Sequence, residues 1–193
     1  YILEWKSWIL RASESGIIPA DQLANAKETM KESLFGQELE CDFLEGEGSV
    51  FRNIREAATA RPLKPQLNHL YVMGVDLAKV TDYTVIAVYD RFNNAQVYQD
   101  RFRTLEWPFQ KARIKETCKH YNQALIRIDA TGLGDPIADD LIREMLPVEP
   151  VKFTQQSKKE MVEKLSIWIE QRKCTFIPLA ETIFELENFS YEI

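Results

Sequence analysis

Two short apolar stretches of the sequence each close on an aspartate: Val72-Met73-Gly74-Val75-Asp76-Leu77-Ala78 and Ile126-Arg127-Ile128-Asp129-Ala130-Thr131-Gly132. A carboxylate at the end of an apolar strand is costly unless it is paired, hydrogen-bonded or bound to a cation. The alternative use of Asp76 is to cap the following loop through the backbone of Lys79 or Val80. Brought together, Asp76 and Asp129 would repel each other, and a divalent cation relieves such repulsion. An oxygen-only ligand set, with no His or Cys beside it, favours Mg²⁺ or Mn²⁺ over zinc. Two such ions ~3.5–4 Å apart activate water and stabilise the leaving oxygen of a phosphodiester. Paired aspartates also occur in phosphate-binding folds that cut nothing, so the residues alone leave both uses open.

Other charged residues are secondary candidates. Asp82 opens the next stretch and is expected to cap a turn; the alternative is an approach to the metal region from the hairpin. Asp135, in Gly132-Leu133-Gly134-Asp135-Pro136, is an expected helix N-cap. Gly132 and Gly134 would let backbone N–H groups approach a phosphate. Asp139 and Asp140 read as a solvated helix face. Arg101 and Arg103, spaced i, i+2 on a strand, share one face and are candidates for tracking DNA phosphates, as are Lys158 and Lys159 with Lys152 and Lys164. Lys111, Arg113, Lys115 and Lys119 read as ordinary solvated helix positions. No P-loop and no serine nucleophile elbow occurs, and His69 and His120 sit in no triad-like setting.

The elements that must position these residues follow from periodicity. Leu70–Leu77, Thr81–Asp90 and Ala95–Arg103 read as three consecutive antiparallel strands, with Asn93-Asn94 turning the second hairpin. A helix over Pro108–Tyr121 points Ile114 and Cys118 inward. A strand follows at Ala124–Asp129, then a helix at Asp135–Met145 and a short strand at Pro147–Lys152. Ser157 and Glu160 have capping-box spacing and open a helix through Trp168 and Ile169. Cys174–Ile177 is extended, and Pro178 starts a last helix to about Phe189. The order β-β-β-α-β-α-β-α predicts an α/β fold: a ribonuclease H-like mixed sheet, three antiparallel strands then parallel βα units, with helices on both faces. In that topology the strands of Asp76 and Asp129 are neighbours where strand order reverses, the place where ligands collect.

Before Pro65 the pattern differs. Pro19 begins a helical pattern reaching Gly36, Gln37–Leu44 alternates as a strand would, Gly46 and Gly48 mark a turn, and residues 61–65 are an extended connector. Residues 1–62 are therefore expected to be one unit and 63–193 another.

The chain has 193 residues, 45% of them hydrophobic and 28% charged, with a net charge of −6. That composition excludes long disorder and low complexity. No apolar run approaches the ~18 residues of a membrane span, and no signal peptide is evident. Cys41, Cys118 and Cys174 are odd in number and scattered, as expected of reduced thiols in a cytosolic compartment, and a structural zinc site is not expected. The acidic balance opposes nucleic-acid binding by bulk charge. Its distribution weakens the objection: residues 1–62 carry 7 basic and 11 acidic side chains, whereas 63–193 carry 17 and 19. The chain opens on Tyr1 and stops at Glu192-Ile193 within an apolar–polar pattern, so both ends are expected to be cut.

Taken in order, these motifs resemble a known family. Gly74-Val75-Asp76-Leu77-Ala78 followed by Asp82-Tyr83-Thr84-Val85-Ile86 is similar to the opening of the nuclease domain of phage large terminases, and Ile128–Pro136 resembles that domain's second acidic motif. Phe35–Phe43 with Gly48–Phe51 is similar to the segment closing the ATPase domain before the linker, and Glu185–Phe189 also fits. The resemblance implies a DNA-packaging motor subunit whose C-terminal, ribonuclease H-like domain cuts concatemeric double-stranded DNA with Mg²⁺ or Mn²⁺, at a two-metal site in the complete domain. Asp76 and Asp129 would be metal ligands and catalytic residues. Residues 1–62 would be the tail of the ATPase domain and linker. Residues 63–193 would be the nuclease domain, ending before its third acidic motif, which leaves this piece weakly active or inactive. The implied partners are DNA, the small terminase subunit and the portal protein, with no membrane; the setting is the host bacterial cytoplasm, and the isolated chain is expected to be monomeric. Two other classes remain at this point: a non-catalytic DNA- or portal-docking module, and an actin- or sugar-kinase-like nucleotide-binding lobe.

Overall fold

The computed structural model describes residues 8–42, 50–78, 82–103, 106–130 and 134–190, without the side chains of Ser33, Gly134 and Asp135. Four helices come first: α1 (Ala12–Ser15), α2 (Ala20–Thr29), α3 (Glu32–Leu39) and α4 (Ile54–Ala57). The helical pattern expected from Pro19 to Gly36 is thus two helices, parted where Met30 takes an extended conformation. Gln37–Leu39 is helical rather than part of a strand. Phe35 and Leu39 are four apart and share a helical face, and Phe35 is buried, so one packed residue outweighs a brief alternation. Residues 43 and 44 and the expected Gly46–Gly48 turn lie outside the described residues.

The sheet contains β1 (Tyr71–Asp76), β2 (Thr84–Asp90), β3 (Ala95–Phe102), β4 (Leu125–Asp129) and β5 (Val148–Val151), in the order β3-β2-β1-β4-β5. The β1–β2 and β2–β3 pairs are antiparallel, and the β1–β4 and β4–β5 pairs are parallel. This is the mixed sheet that the element order predicts. Strand alternation gives it two faces. On one, Tyr71, Met73, Val75, Ile86, Val88, Ile126 and Ile128 are buried against α5 (Trp107–His120) and α6 (Gly134–Arg143) through Ile114, Cys118, Ile137 and Leu141. Burying each large side chain contributes about 1.5–3 kcal/mol, which makes this the main core. Lys111 pairs with Asp140 at 2.6 Å, and Lys115 with Glu144, so two of the lysines expected to be merely solvated tie α5 to α6 and to the turn just after it.

The second face is covered at its β2–β3 side by α7 (Gln155–Glu170) and α8 (Ala180–Glu187). Ile169 of α7 packs with Cys174, Phe176 and the earlier residues Val50, Phe51, Ile54 and Ala57. Helix α7 starts earlier than the sequence pattern suggests. Thr154 is its N-cap and Ser157 its third residue, each side chain bonded to the other's backbone N–H. The Ser157–Glu160 box is therefore displaced by one turn, and Glu160 instead accepts from Gln156. Thr154→Ala is expected to cost about 1 kcal/mol, a fall in Tm of about 2–4 °C; Glu160→Ala should stay within about 0.5 kcal/mol. Thermal denaturation of both variants checks the assignment.

Asp90, at the end of β2, is 1% exposed. Its carboxylate accepts from Phe92 N–H (2.9 Å) and Asn93 Nδ2 (2.8 Å) and lies 2.7 Å from His69 Nδ1. It closes the β2–β3 turn and fastens the chain that leads into β1.

Candidate metal centre and its cleft

Asp76 is the last residue of β1 and Asp129 the last of β4. The parallel register pairs Val75 with Ile128, so one residue further on the two aspartates stand side by side. Both belong to the face opposite the buried Val75 and Ile128, and they line one cavity of about 400 Å³ with Gly74, Arg127, Val151, Phe153, Lys158 and Met161. The topology thus brings together two carboxylates 53 positions apart in the chain, at the carboxyl ends of adjacent strands.

The electrostatics report the crowding. Burial raises the Asp76 carboxyl above the usual carboxylate range, and the charges of Asp129 and Asp82 raise it further. Lys158 and a hydrogen bond from the Leu77 N–H oppose the rise without cancelling it. An all-oxygen pair in which Asp76 resists ionisation suits a hard divalent cation, which would stabilise the charged form of that carboxylate. Among the described residues no set of three or more His, Cys, Asp or Glu converges as a complete metal cage.

The remaining sequence candidates divide. Asp82 is exposed and accepts from the Tyr83 N–H at 2.8 Å, the expected turn role, yet its charge also reaches Asp76. Asp135 lies inside the first turn of α6, which begins at Gly134, so it is not the N-cap; residues 131–133, with Gly132, lie outside the described residues. Lys158 lines the cavity, whereas Lys159 turns toward Glu163 on its own helix at 3.9 Å. Arg101 and Arg103 do share a face: both guanidinium groups lie over the Tyr83 ring, at 4.2 and 5.2 Å. Arg101 also pairs with Glu185 of α8 at 3.2 Å. Neither arginine lines the cavity of the aspartates.

Four cavity residues escaped the sequence reading. Arg127 sits two residues before Asp129 on the same strand, so strand alternation alone puts it on the same face. Its guanidinium is held by both carboxylate oxygens of Glu149, directly across on β5, at 3.1 Å each. Phe153 and Met161 form an apolar wall, and no short-range pattern marks them. Gly74 faces the cavity from mid-strand, with no atom within 4 Å of where a Cβ would stand.

The family model described as "Terminase RNaseH-like domain" matches residues 73–192, beginning in β1 and running through both aspartates. The chain belongs to that family. The terminase large subunit of Thermus virus P23-45 is 32% identical over 126 residues, 64% of this chain but 26% of the relative. The chain therefore spans about a quarter of the length of the curated relatives it matches. The large terminase nuclease of thermophilic phage G20c, solved with bound zinc, superposes with a TM-score of 0.68 at 25% identity, covering 75% of this chain and 90% of that one. The same nuclease with bound magnesium gives a TM-score of 0.70 at 24% identity, covering 77% and 84%. The terminase RNase H-like chain thus has the ribonuclease H-like fold that the strand order predicts. No described helix is long and apolar enough to cross a membrane.

Proposed function

We propose that this terminase chain is a divalent-metal-dependent endonuclease domain that hydrolyses phosphodiester bonds of concatemeric double-stranded DNA during phage genome packaging. The observation that carries the reading is the side-by-side placement of Asp76 and Asp129 in an open cleft of a terminase-family fold. Asp76 and Asp129 would hold Mg²⁺ or Mn²⁺, as the magnesium and zinc bound to the G20c nuclease suggest. Ions bound there supply water activation and neutralise charge on the leaving oxygen.

The protein's own groups divide the remaining tasks. The Leu77 N–H orients the Asp76 carboxylate. Lys158, on the cleft wall, brings positive charge to an incoming phosphate. Arg127, fixed by Glu149, presents a guanidinium of defined orientation two residues from Asp129. Arg101 and Arg103, stacked on Tyr83, offer a second cationic patch along the edge strand. In the longer protein, residues 1–62 would form the end of the ATPase domain and its linker, and the small terminase subunit and portal would be partners in the host cytoplasm.

Incubating the full-length protein with supercoiled plasmid tests the reading. Nicking that requires Mg²⁺ or Mn²⁺ and stops with chelator supports it; cleavage indifferent to chelator, or none with either ion, overturns it. Gly74→Val adds a sharper check. A Cβ there meets no protein atom within 4 Å and valine suits a strand, so Tm should hold or rise. It fills the cleft floor, and cleavage should fall about tenfold or more if DNA crosses β1 there. Full activity of this variant would move the DNA path elsewhere.

A further inference from the structure

The parallel part of a sheet is ordinarily covered on both faces. Here the face of β1 and β4 that carries the aspartates is open among the described residues. No atom lies within 4 Å of where a Gly74 Cβ would stand, and the Arg127 side chain is 54% exposed. Arg127 nevertheless belongs to an inner strand, between β1 and β5. Its neighbours Ile126 and Ile128 are fully buried on the other face, so strand alternation puts Arg127 on the cleft side.

The register sets two rows across this face. Gly74, Arg127 and Glu149 form one, and Asp76 and Asp129 stand two residues further along their strands. Two residues of extended strand span about 6.6 Å, close to the separation of successive phosphates along one DNA strand. Within its row Arg127 is already oriented. Its Nε and Nη2 donate to the two carboxylate oxygens of Glu149 at 3.1 Å each, and Nη1 has no partner among the described residues. So exposed a pair adds little to stability. It does fix the plane of a guanidinium fork that suits phosphate oxygens. Lys158, the other cation lining the cavity, comes from α7 and brings a flexible point charge, whereas Arg127 has a fixed place in the register.

We infer that Arg127 binds the phosphate next to the one being cut, on the same DNA strand, so that the cleaved strand runs along β1 and β4 across Gly74. This rests on the nuclease reading proposed above. It defines what the cleft recognises: two consecutive backbone charges of one strand, one at the aspartate pair and one at Arg127, whatever the bases.

A DNA duplex with one neutral methylphosphonate linkage in an end-labelled strand tests the subsite in the full-length protein. With Mg²⁺ or Mn²⁺, the wild type should cut the linkage on one side of the neutral position about tenfold less than in the all-phosphate duplex. Arg127→Gln should cut more slowly overall and lose that asymmetry, because the contact it reports is already gone. Arg143→Gln removes the same charge from the exposed end of α6 and should keep the asymmetry. Binding of the all-phosphate duplex with chelator present gives a readout independent of cleavage. The slope of log affinity against log salt should fall by about 0.9 in Arg127→Gln, with Tm within about 2 °C of the wild type. An asymmetry that survives in Arg127→Gln, or an unchanged salt slope, overturns the subsite alone. A wild type that cuts no duplex with either ion overturns instead the nuclease reading, and the subsite falls with it.

Discussion

Asp76→Asn and Asp129→Asn are each expected to reduce metal-dependent plasmid cleavage by about 10³-fold, while leaving the metal-free protein at least as stable as the wild type. The first half follows from charge: an amide in place of either carboxylate removes half of the pair that would hold the cation. The second half follows from the opposed charges of the bare site. Burial, Asp129 and Asp82 all raise the Asp76 carboxyl, so the folded state holds its proton more tightly than the unfolded chain does. Stability of the metal-free wild type should accordingly rise as pH falls from neutral through that raised pKa, and the gain is complete once pH nears the unfolded value of about 4. Asp76→Asn removes this slope and should raise Tm at neutral pH by about 1–3 °C. Urea denaturation from pH 7 to 4.5, with chelator present, reads the slope directly. Wild-type cleavage rates in both variants would remove these aspartates from the chemistry. A lower Tm in both would show that they are structural caps.

The largest stability loss is expected at the other end of the sheet. Asp90→Ala should destabilise the fold by about 3 kcal/mol, because it leaves Phe92 N–H, Asn93 Nδ2 and His69 Nδ1 without their common acceptor. Its pH signature is opposite to that of Asp76. Burial pushes the Asp90 carboxyl upward, but the hydrogen bonds from His69, Phe92 and Asn93 outweigh it and hold the carboxyl below the usual range. The folded state therefore prefers the ionised form. That stabilisation is present above the unfolded pKa of about 4 and is lost as pH falls through the depressed value. The wild type should weaken on the acid side of pH 4, and Asp90→Ala should show less of that loss. Cleavage assayed well below the variant's Tm should be retained, since Asp90 lies away from the cleft. A variant as stable as the wild type would show that the turn is held by other contacts.

The contrast between these two aspartates shows what a sequence can and cannot disclose. Asp76 and Asp129 were legible because each closes an apolar strand, and because element order alone makes their strands neighbours. Asp90 also closes a strand, yet its partners are a turn amide, a turn asparagine and a histidine 21 residues earlier, and nothing in the local pattern announces that meeting. Helix α3 was misread where alternation over a few residues imitated a strand; the burial of Phe35, a tertiary fact, decided it. The start of α7 slipped by one turn because Thr154 and Ser157 form a box without the acidic residue that usually marks one. Lys111 and Lys115 looked like surface charge because their partners belong to a helix that follows a whole strand later. Arg127 was recoverable from alternation alone. Phe153 and Met161 needed the fold.

The parallel pairing of β1 with β4 also governs when the site comes into existence. Strands β1, β2 and β3 are joined by short connections and can zip together as soon as they are made. The β1–β4 contact must instead wait for two hairpins and the whole of α5, with the loop-closure entropy that such a span imposes. Asp76 is translated early and stands alone until β4 docks beside it. A nascent or half-folded chain therefore carries the first carboxylate without the second. In the nuclease proposed above, the cation site would come into being only when β4 docks, a delay written into the strand order itself.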